Sequence, residues 1–156
     1  MQPMQKVILS DASCLILLDK IGELDLLQVA FGEIIITPEV EREYGRPLPE
    51  WMKVLEVKNK TYQDLLGINI DIGEASIIAL AVELEDCLLI IDDLKGRRFA
   101  KKLAINYTGT LGVLLAAKEN EIISSIKPII EKIQHTNFRV SDELISKVLK
   151  QAGEAR

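Results

Sequence analysis

The stretch Cys87-Leu88-Leu89-Ile90-Ile91-Asp92-Asp93-Leu94-Lys95-Gly96-Arg97-Arg98-Phe99-Ala100-Lys101-Lys102 restricts the fold more than any other. It opens with a short run that is wholly apolar, the pattern of a strand buried on both faces, as in a parallel sheet. Asp92 and Asp93 then stand at the carboxyl end of that strand, the edge where open α/β sheets place their ligands. Adjacent like charges repel, so the fold must bring compensation: a divalent cation, the cationic segment that follows, or open water. Which of the three it is decides what the chain does.

The rest of the chain supplies companions for such a strand. Residues 6–10 and 33–36 read as apolar strands, 51–57 as a strand or extended segment, and 104–107 as a short strand. Helices are expected at 13–20 (with Leu15, Ile16 and Leu18 on the apolar side), 24–30, 39–44, weakly at 62–66, and from 71 to about 85. Thr37 is the expected N-cap of the third, with Pro38 at its first position and Gly45 at its end. The helix from 71 is apolar nearly all round and so packs deep in the core. After the basic helix, which runs to about 104, the turn Thr108-Gly109-Thr110-Leu111-Gly112 leads into helices at 113–120, 128–134 and 142–151, the last capped by Ser141. Alternating strands and helices imply an α/β domain with a mostly parallel sheet and helices on both faces. At 156 residues and 48% hydrophobic content, a single domain over 1–156 is expected, with 1–5 frayed.

Several classes are excluded. No apolar run approaches a membrane span and no signal peptide opens the chain, so a cytoplasmic protein without a membrane partner is expected. Cys14 and Cys87 lie in apolar surroundings outside any metal or redox spacing and read as buried thiols. A net charge of −5 argues against an avid, non-specific nucleic-acid binder, but not against an enzyme that meets nucleic acid through one patch. Five of the eight residues 95–102 are basic, which is either such a patch or an ordinary solvated helix face. The single histidine, His135, rules out a paired-histidine ribonuclease and reads as a surface residue. There is no Gly-rich phosphate or dinucleotide loop and no nucleophile elbow. Carboxylates are the only plentiful catalytic groups.

Asp11 and Asp92 each follow an expected parallel strand at its carboxyl end, so they share one rim of the sheet. Hard oxygen ligands on one rim suit Mg²⁺ or Mn²⁺. Each acid also has a structural reading. Asp11 can cap the helix that begins near Ser13, although Ser13 can do so itself. Asp92 or Asp93 can cap the basic helix, but one helix needs one cap. Asp71-Ile72-Gly73-Glu74 has the spacing of a capping box, which on its own makes Glu74 structural. Glu43 is too deep in its helix to cap it, and helical geometry does not choose between Glu43 and Glu41.

Taken together, Leu9-Ser10-Asp11-Ala12-Ser13, Thr37-Pro38-Glu39-Val40-Glu41-Arg42-Glu43, Gly73-Glu74-Ala75 and Ile90-Ile91-Asp92-Asp93 resemble the PIN-domain ribonuclease family. The resemblance is closest to its VapC-like toxins and a poorly characterised branch of them, which the turn from Thr108 to Gly112 also fits. It runs in order from about Val7 to Leu149. It implies a three-layer α/β/α PIN-like fold and an acidic quartet, Asp11, Glu43, Glu74 and Asp92, that binds Mg²⁺ or Mn²⁺ and hydrolyses RNA with an activated water. Asp11 and Asp92 would hold the metal, with Asp93 as an accessory or alternative ligand and Glu43 and Glu74 tuning it or orienting water. Glu74 stands where many PIN domains have aspartate, and the resemblance places it at the metal in spite of its capping spacing. Ser13 would be a polar helper, and Thr108, Lys95, Arg97, Arg98, Lys101 and Lys102 would meet the RNA. A small antitoxin that blocks the pocket and a homodimer are the further partners implied. The rival reading is a PIN-fold module that binds RNA or protein without cutting, which the sequence pI of 5.0 and Glu74 keep open. An aspartyl-nucleophile phosphatase is disfavoured, because Asp-x-Asp after the first strand is here Asp11-Ala12-Ser13.

Overall fold

The computed structural model describes residues 6–154, so the frayed start expected at 1–5 lies outside the described residues. The chain runs β1 (Val7–Ser10), α1 (Ala12–Lys20), α2 (Asp25–Phe31), β2 (Ile34–Ile36), α3 (Pro38–Tyr44), β3 (Met52–Val54), α4 (Lys60–Leu66) and α5 (Ile72–Leu84). It continues with β4 (Cys87–Ile90), α6 (Leu94–Lys102), β5 (Asn106–Thr108), α7 (Thr110–Glu119), α8 (Lys127–Gln134) and α9 (Asp142–Gln151). The five strands form one sheet in the order β3-β2-β1-β4-β5. Every pairing is parallel, so the sheet expected to be mostly parallel is wholly so, and helices cover it in a three-layer α/β/α sandwich.

This order creates the site. From β1 the chain moves outward to β2 and β3, then returns through α4 and α5 to place β4 on the other side of β1. The crossovers therefore diverge between β1 and β4, and a crevice opens beyond their carboxyl ends. Ser10 pairs with Ile90, and the Asp11 N–H donates to the Ile90 carbonyl at 2.9 Å. The residues that follow both strands thus face each other across the crevice.

Burial explains the central elements. Leu9, Leu89, Ile90 and Ile91 are fully buried, as the apolar run requires. In α5, Ala75, Ser76, Ile77, Ile78, Ala79, Leu80 and Ala81 are all buried. A second apolar cluster joins Leu17 and Leu26 to α7, α8 and α9. That cluster corrects one expectation. Ile16 is 41% exposed while Leu17 is buried, because α1 is covered on two sides and its free side falls at Ile16.

Several boundaries also differ. Asp11, not Ser13, caps α1, so the helix begins at Ala12. The extended stretch 51–57 forms ladder pairs only at Met52–Val54. Past it, the Lys58 and Asn59 N–H groups are claimed by the Glu83 carboxylate. Ala104, with φ 58°, makes a left-handed turn that ends the basic helix early and delays β5 to Asn106. Helix α7 starts at Thr110 rather than 113, since an acceptor from another element awaits its first N–H. The weak helix at 62–66 is a firm one, begun two residues sooner by the Asn59 cap. Among the described residues no helix is long and apolar enough to cross a membrane.

Candidate active site

Asp11 lies deepest. Its Oδ1 accepts from the Cys14 N–H at 3.0 Å, its Oδ2 faces the Asp92 N–H at 3.4 Å, and the residue is 2% exposed. Burial pushes its pKa up, two backbone N–H groups pull it down, and the charges of Asp92 and Glu74 push it up again, so that it stands at about 7. Desolvation disfavours a charge that nothing offsets.

Asp11 opens into a cavity of about 260 Å³ that is also lined by Ser13, Glu43, Asp71, Glu74 and Asp93. Five carboxylates share this space, and among the described residues no lysine or arginine lines it. Glu74, on the first turn of α5, has a pKa raised to about 7 by burial and then by the charges of Asp93, Asp71 and Glu43. The capping box expected there is half formed. Asp71 caps α5 by accepting from the Gly73 N–H at 3.2 Å, while Glu74 turns to the cavity.

Glu43 reaches the cavity from α3, whereas Glu41 is not among the lining residues. It lies over Gly73, where a Cβ would stand 2.9 Å from its Oε1 and 3.4 Å from Asp71 Oδ2. Burial, the Asp71 charge and a hydrogen bond with the Asp71 carboxyl all raise its pKa. Asp71 is the site residue that sequence reasoning missed. Its capping role concealed that a carboxylate three residues before Glu74 stands at the same cavity.

The two adjacent aspartates separate. Asp93 caps α6 through the Gly96 N–H at 3.0 Å and lines the cavity. Asp92 does not line it. Its Oδ1 accepts from the Thr110 N–H at 2.8 Å and its Oδ2 from the Thr110 hydroxyl at 2.6 Å, at the start of α7. Thr110 is the second residue overlooked, since nothing local links it to a carboxylate 18 residues earlier.

The expected RNA contacts separate as well. Lys95, Arg98, Lys101 and Lys102 are exposed on α6. Arg97 instead folds back, donating from Nε to the Ile91 carbonyl at 2.8 Å and lying 5.5 Å above the Tyr107 ring. Thr108 is on β5, its hydroxyl pressed against Gly112, where any Cβ would collide with it. His135 is on the surface at the end of α8, its Nδ1 bonded to the Glu131 carbonyl. A larger cavity of about 640 Å³ lies between α8 and α9, where among the described residues Asp142 is the only carboxylate, beside Lys147 and Lys150.

Carboxylate oxygens in excess, with no cation among them, are a donor set suited to a hard divalent ion. Among the described residues no three Asp, Glu, His or Cys side chains converge as a ready-made metal site. A family model described as a PIN domain matches residues 7–154, nearly the whole chain. No curated protein and no solved structure matches. Proteins with this domain are generally nucleases that use divalent metals.

Proposed function

The chain belongs to the PIN-domain family, and from that premise we propose that it is a metal-dependent ribonuclease that hydrolyses RNA phosphodiester bonds. One observation carries the reading. Five carboxylates meet at a cavity beyond the switch point of the sheet, with no cationic side chain among the described residues, and two of them are held near pKa 7 by burial and the repulsion of neighbouring carboxylates. Such groups are a liability to folding and an asset to a site that binds a cation.

Asp11, Glu74 and Asp93 would hold Mg²⁺ or Mn²⁺, which when bound supplies a Lewis acid that acidifies water and offsets charge on the phosphodiester. Asp92 takes a supporting part, fixing the end of β4 against α7 through Thr110. Glu43, pressed against Asp71, keeps its proton more tightly than an ordinary glutamate and can pass one to or from water at the cavity. Lys95, Arg98, Lys101 and Lys102 continue from the cap at Asp93, so an RNA backbone held on that face of α6 lies beside the cavity. Ser13, on its rim, can hydrogen-bond a phosphate oxygen. Likeness to the VapC-like branch extends the proposal to a cytoplasmic toxin that forms a homodimer and is restrained by a small antitoxin over the acidic cavity.

The test is incubation of the purified protein with mixed structured RNAs and Mn²⁺, beside EDTA and Glu74→Gln controls. Cleavage abolished by both is expected; cleavage that survives both refutes the reading. The sequence pI of 5.0 and the longer Glu74 side chain keep one alternative open, a PIN-fold module that binds RNA or protein without cutting, and RNA binding with no cleavage in any metal would establish it.

A further inference from the structure

We propose that Thr37 and Ser76 are positioning residues for the acidic cavity, linked by a buried hydroxyl relay that sets Gly73 and, through it, Glu43 and Asp71. The inference rests on the metal-dependent reading above.

Both hydroxyl side chains are fully buried, 0% exposed, where α3 packs on α5. Their oxygens lie 2.6 Å apart. Ser76 Oγ is also 2.6 Å from the Gly73 carbonyl, which can only accept. A serine hydroxyl has one proton, so Ser76 donates to Gly73 and Thr37 must donate to Ser76. Thr37 Oγ in turn accepts from the Val40 N–H at 3.1 Å. The relay is therefore directional and complete: Val40 N–H to Thr37, Thr37 to Ser76, Ser76 to the Gly73 carbonyl. A buried chain of this kind fixes the elements it joins, because breaking any link strands a polar group without water.

Gly73 is where the relay meets the cavity. Its carbonyl takes the Ser76 hydroxyl, its N–H donates to Asp71 Oδ2, and Glu43 Oε1 lies over its Cα. Glu74 follows it directly. The relay thus ties the start of the Glu43 helix to the peptide against which Glu43 and Asp71 are placed. Neither hydroxyl lines the cavity, so neither touches metal or RNA. They act through the carboxylates.

The experiment measures Mn²⁺ binding by calorimetry and by the electron paramagnetic resonance of free Mn²⁺. It compares wild type, Ser76→Ala, Thr37→Val and Thr37→Ser at a temperature where circular dichroism shows each fully folded. Because the Gly73 carbonyl that the relay holds belongs to the peptide leading directly into Glu74, Ser76→Ala and Thr37→Val are expected to weaken Mn²⁺ about 10-fold, the lower end for groups that orient metal ligands, while Thr37→Ser, which keeps the hydroxyl, stays close to wild type. In RNA cleavage kcat should fall with KM unchanged, since the α6 face is untouched. The Thr37→Val and Thr37→Ser pair carries the comparison even if Ser76→Ala does not fold. If wild type binds Mn²⁺ and the two relay-breaking variants bind it equally well, with only a lower melting temperature, the positioning role is refuted. If wild type itself binds no Mn²⁺, the metal reading fails, and the inference with it.

Discussion

Ionising Asp11 should cost the metal-free protein stability, and the cost has a definite pH window. The unfolded carboxyl titrates near 3.8 and the folded one at about 7, so between those values the folded state binds the additional proton. Stability falls wherever the folded state holds more protons than the unfolded. The Asp11 contribution is therefore greatest below pH 4, declines from about pH 4 to pH 7, and is flat above. About three pKa units at 1.36 kcal/mol each amount to about 4 kcal/mol, or on the order of 10 °C in melting temperature for a domain of this size. Glu74 slopes the same way. Glu154 slopes the other way: burial pushes its pKa up, but Lys118, Ser125 and the N–H groups of Ile126 and Lys127 outweigh it and hold it at about 2, so its stabilisation is lost as pH falls below about 4.5. Asp11→Asn isolates one group from the rest, because asparagine can still accept from the Cys14 N–H. Melting temperatures of both proteins in EDTA from pH 4.5 to 8.5 should show the variant gaining on wild type as pH rises, and exceeding it at the top of the range. Mn²⁺ should stabilise wild type more at pH 8 than at pH 5, because metal and proton compete for the same oxygens. A difference between the two proteins that is flat with pH would refute the argument.

Asp92→Asn should unfold more easily without any metal present, losing about 2 kcal/mol with its charge-assisted bonds to Thr110; Thr110→Val should lose about half as much, both read from chemical denaturation. Asp93→Asn should instead abolish cleavage, and a wild-type rate would remove Asp93 from the site. Arg97→Ala should lower the melting temperature by releasing the Ile91 carbonyl, whereas Lys95→Ala, Arg98→Ala, Lys101→Ala and Lys102→Ala should leave it unchanged and flatten the salt dependence of RNA binding. Gly109→Ala should destabilise by about 1–3 kcal/mol, since a Cβ there overlaps the Arg97 guanidinium and stands 2.6 Å from Asp92 Oδ1.

Much of this fold was legible because its strongest signals are local. An apolar run that ends on aspartates can hardly be anything but an interior parallel strand, and Thr37-Pro38 announces its helix without help from the rest of the chain. The edges were not legible, because local sequence does not show where β3 and β5 are bounded: beyond β3 the distant Glu83 takes the N–H groups of Lys58 and Asn59, and ahead of β5 a left-handed turn at Ala104 delays the strand to Asn106. The site divides along the same line. Asp11 follows from strand order alone. Glu43 against Glu41 is decided by Gly73, on another helix. The basic run shows five cations but not that Arg97 alone faces inward, a matter of where β5 brings Tyr107.

The adjacent aspartates are answered in a way the sequence suggested for only one of them. A cation, the basic segment and open water were the candidates for offsetting two neighbouring charges, yet helix N-termini supply the first part. Successive side chains on an extended backbone point to opposite sides, and here each meets the start of a different helix: Asp92 accepts from α7 at Thr110, Asp93 from α6 at Gly96. Half a unit of positive charge at a helix terminus and two bonds from Thr110 give Asp92 much of what it needs. Asp93 has one such bond and shares a cavity with four other carboxylates, among which Asp11 and Glu74 are already driven to about pKa 7. The unmet demand for positive charge therefore lies on the Asp93 side of the strand end, and that is where a divalent ion has the most repulsion to relieve.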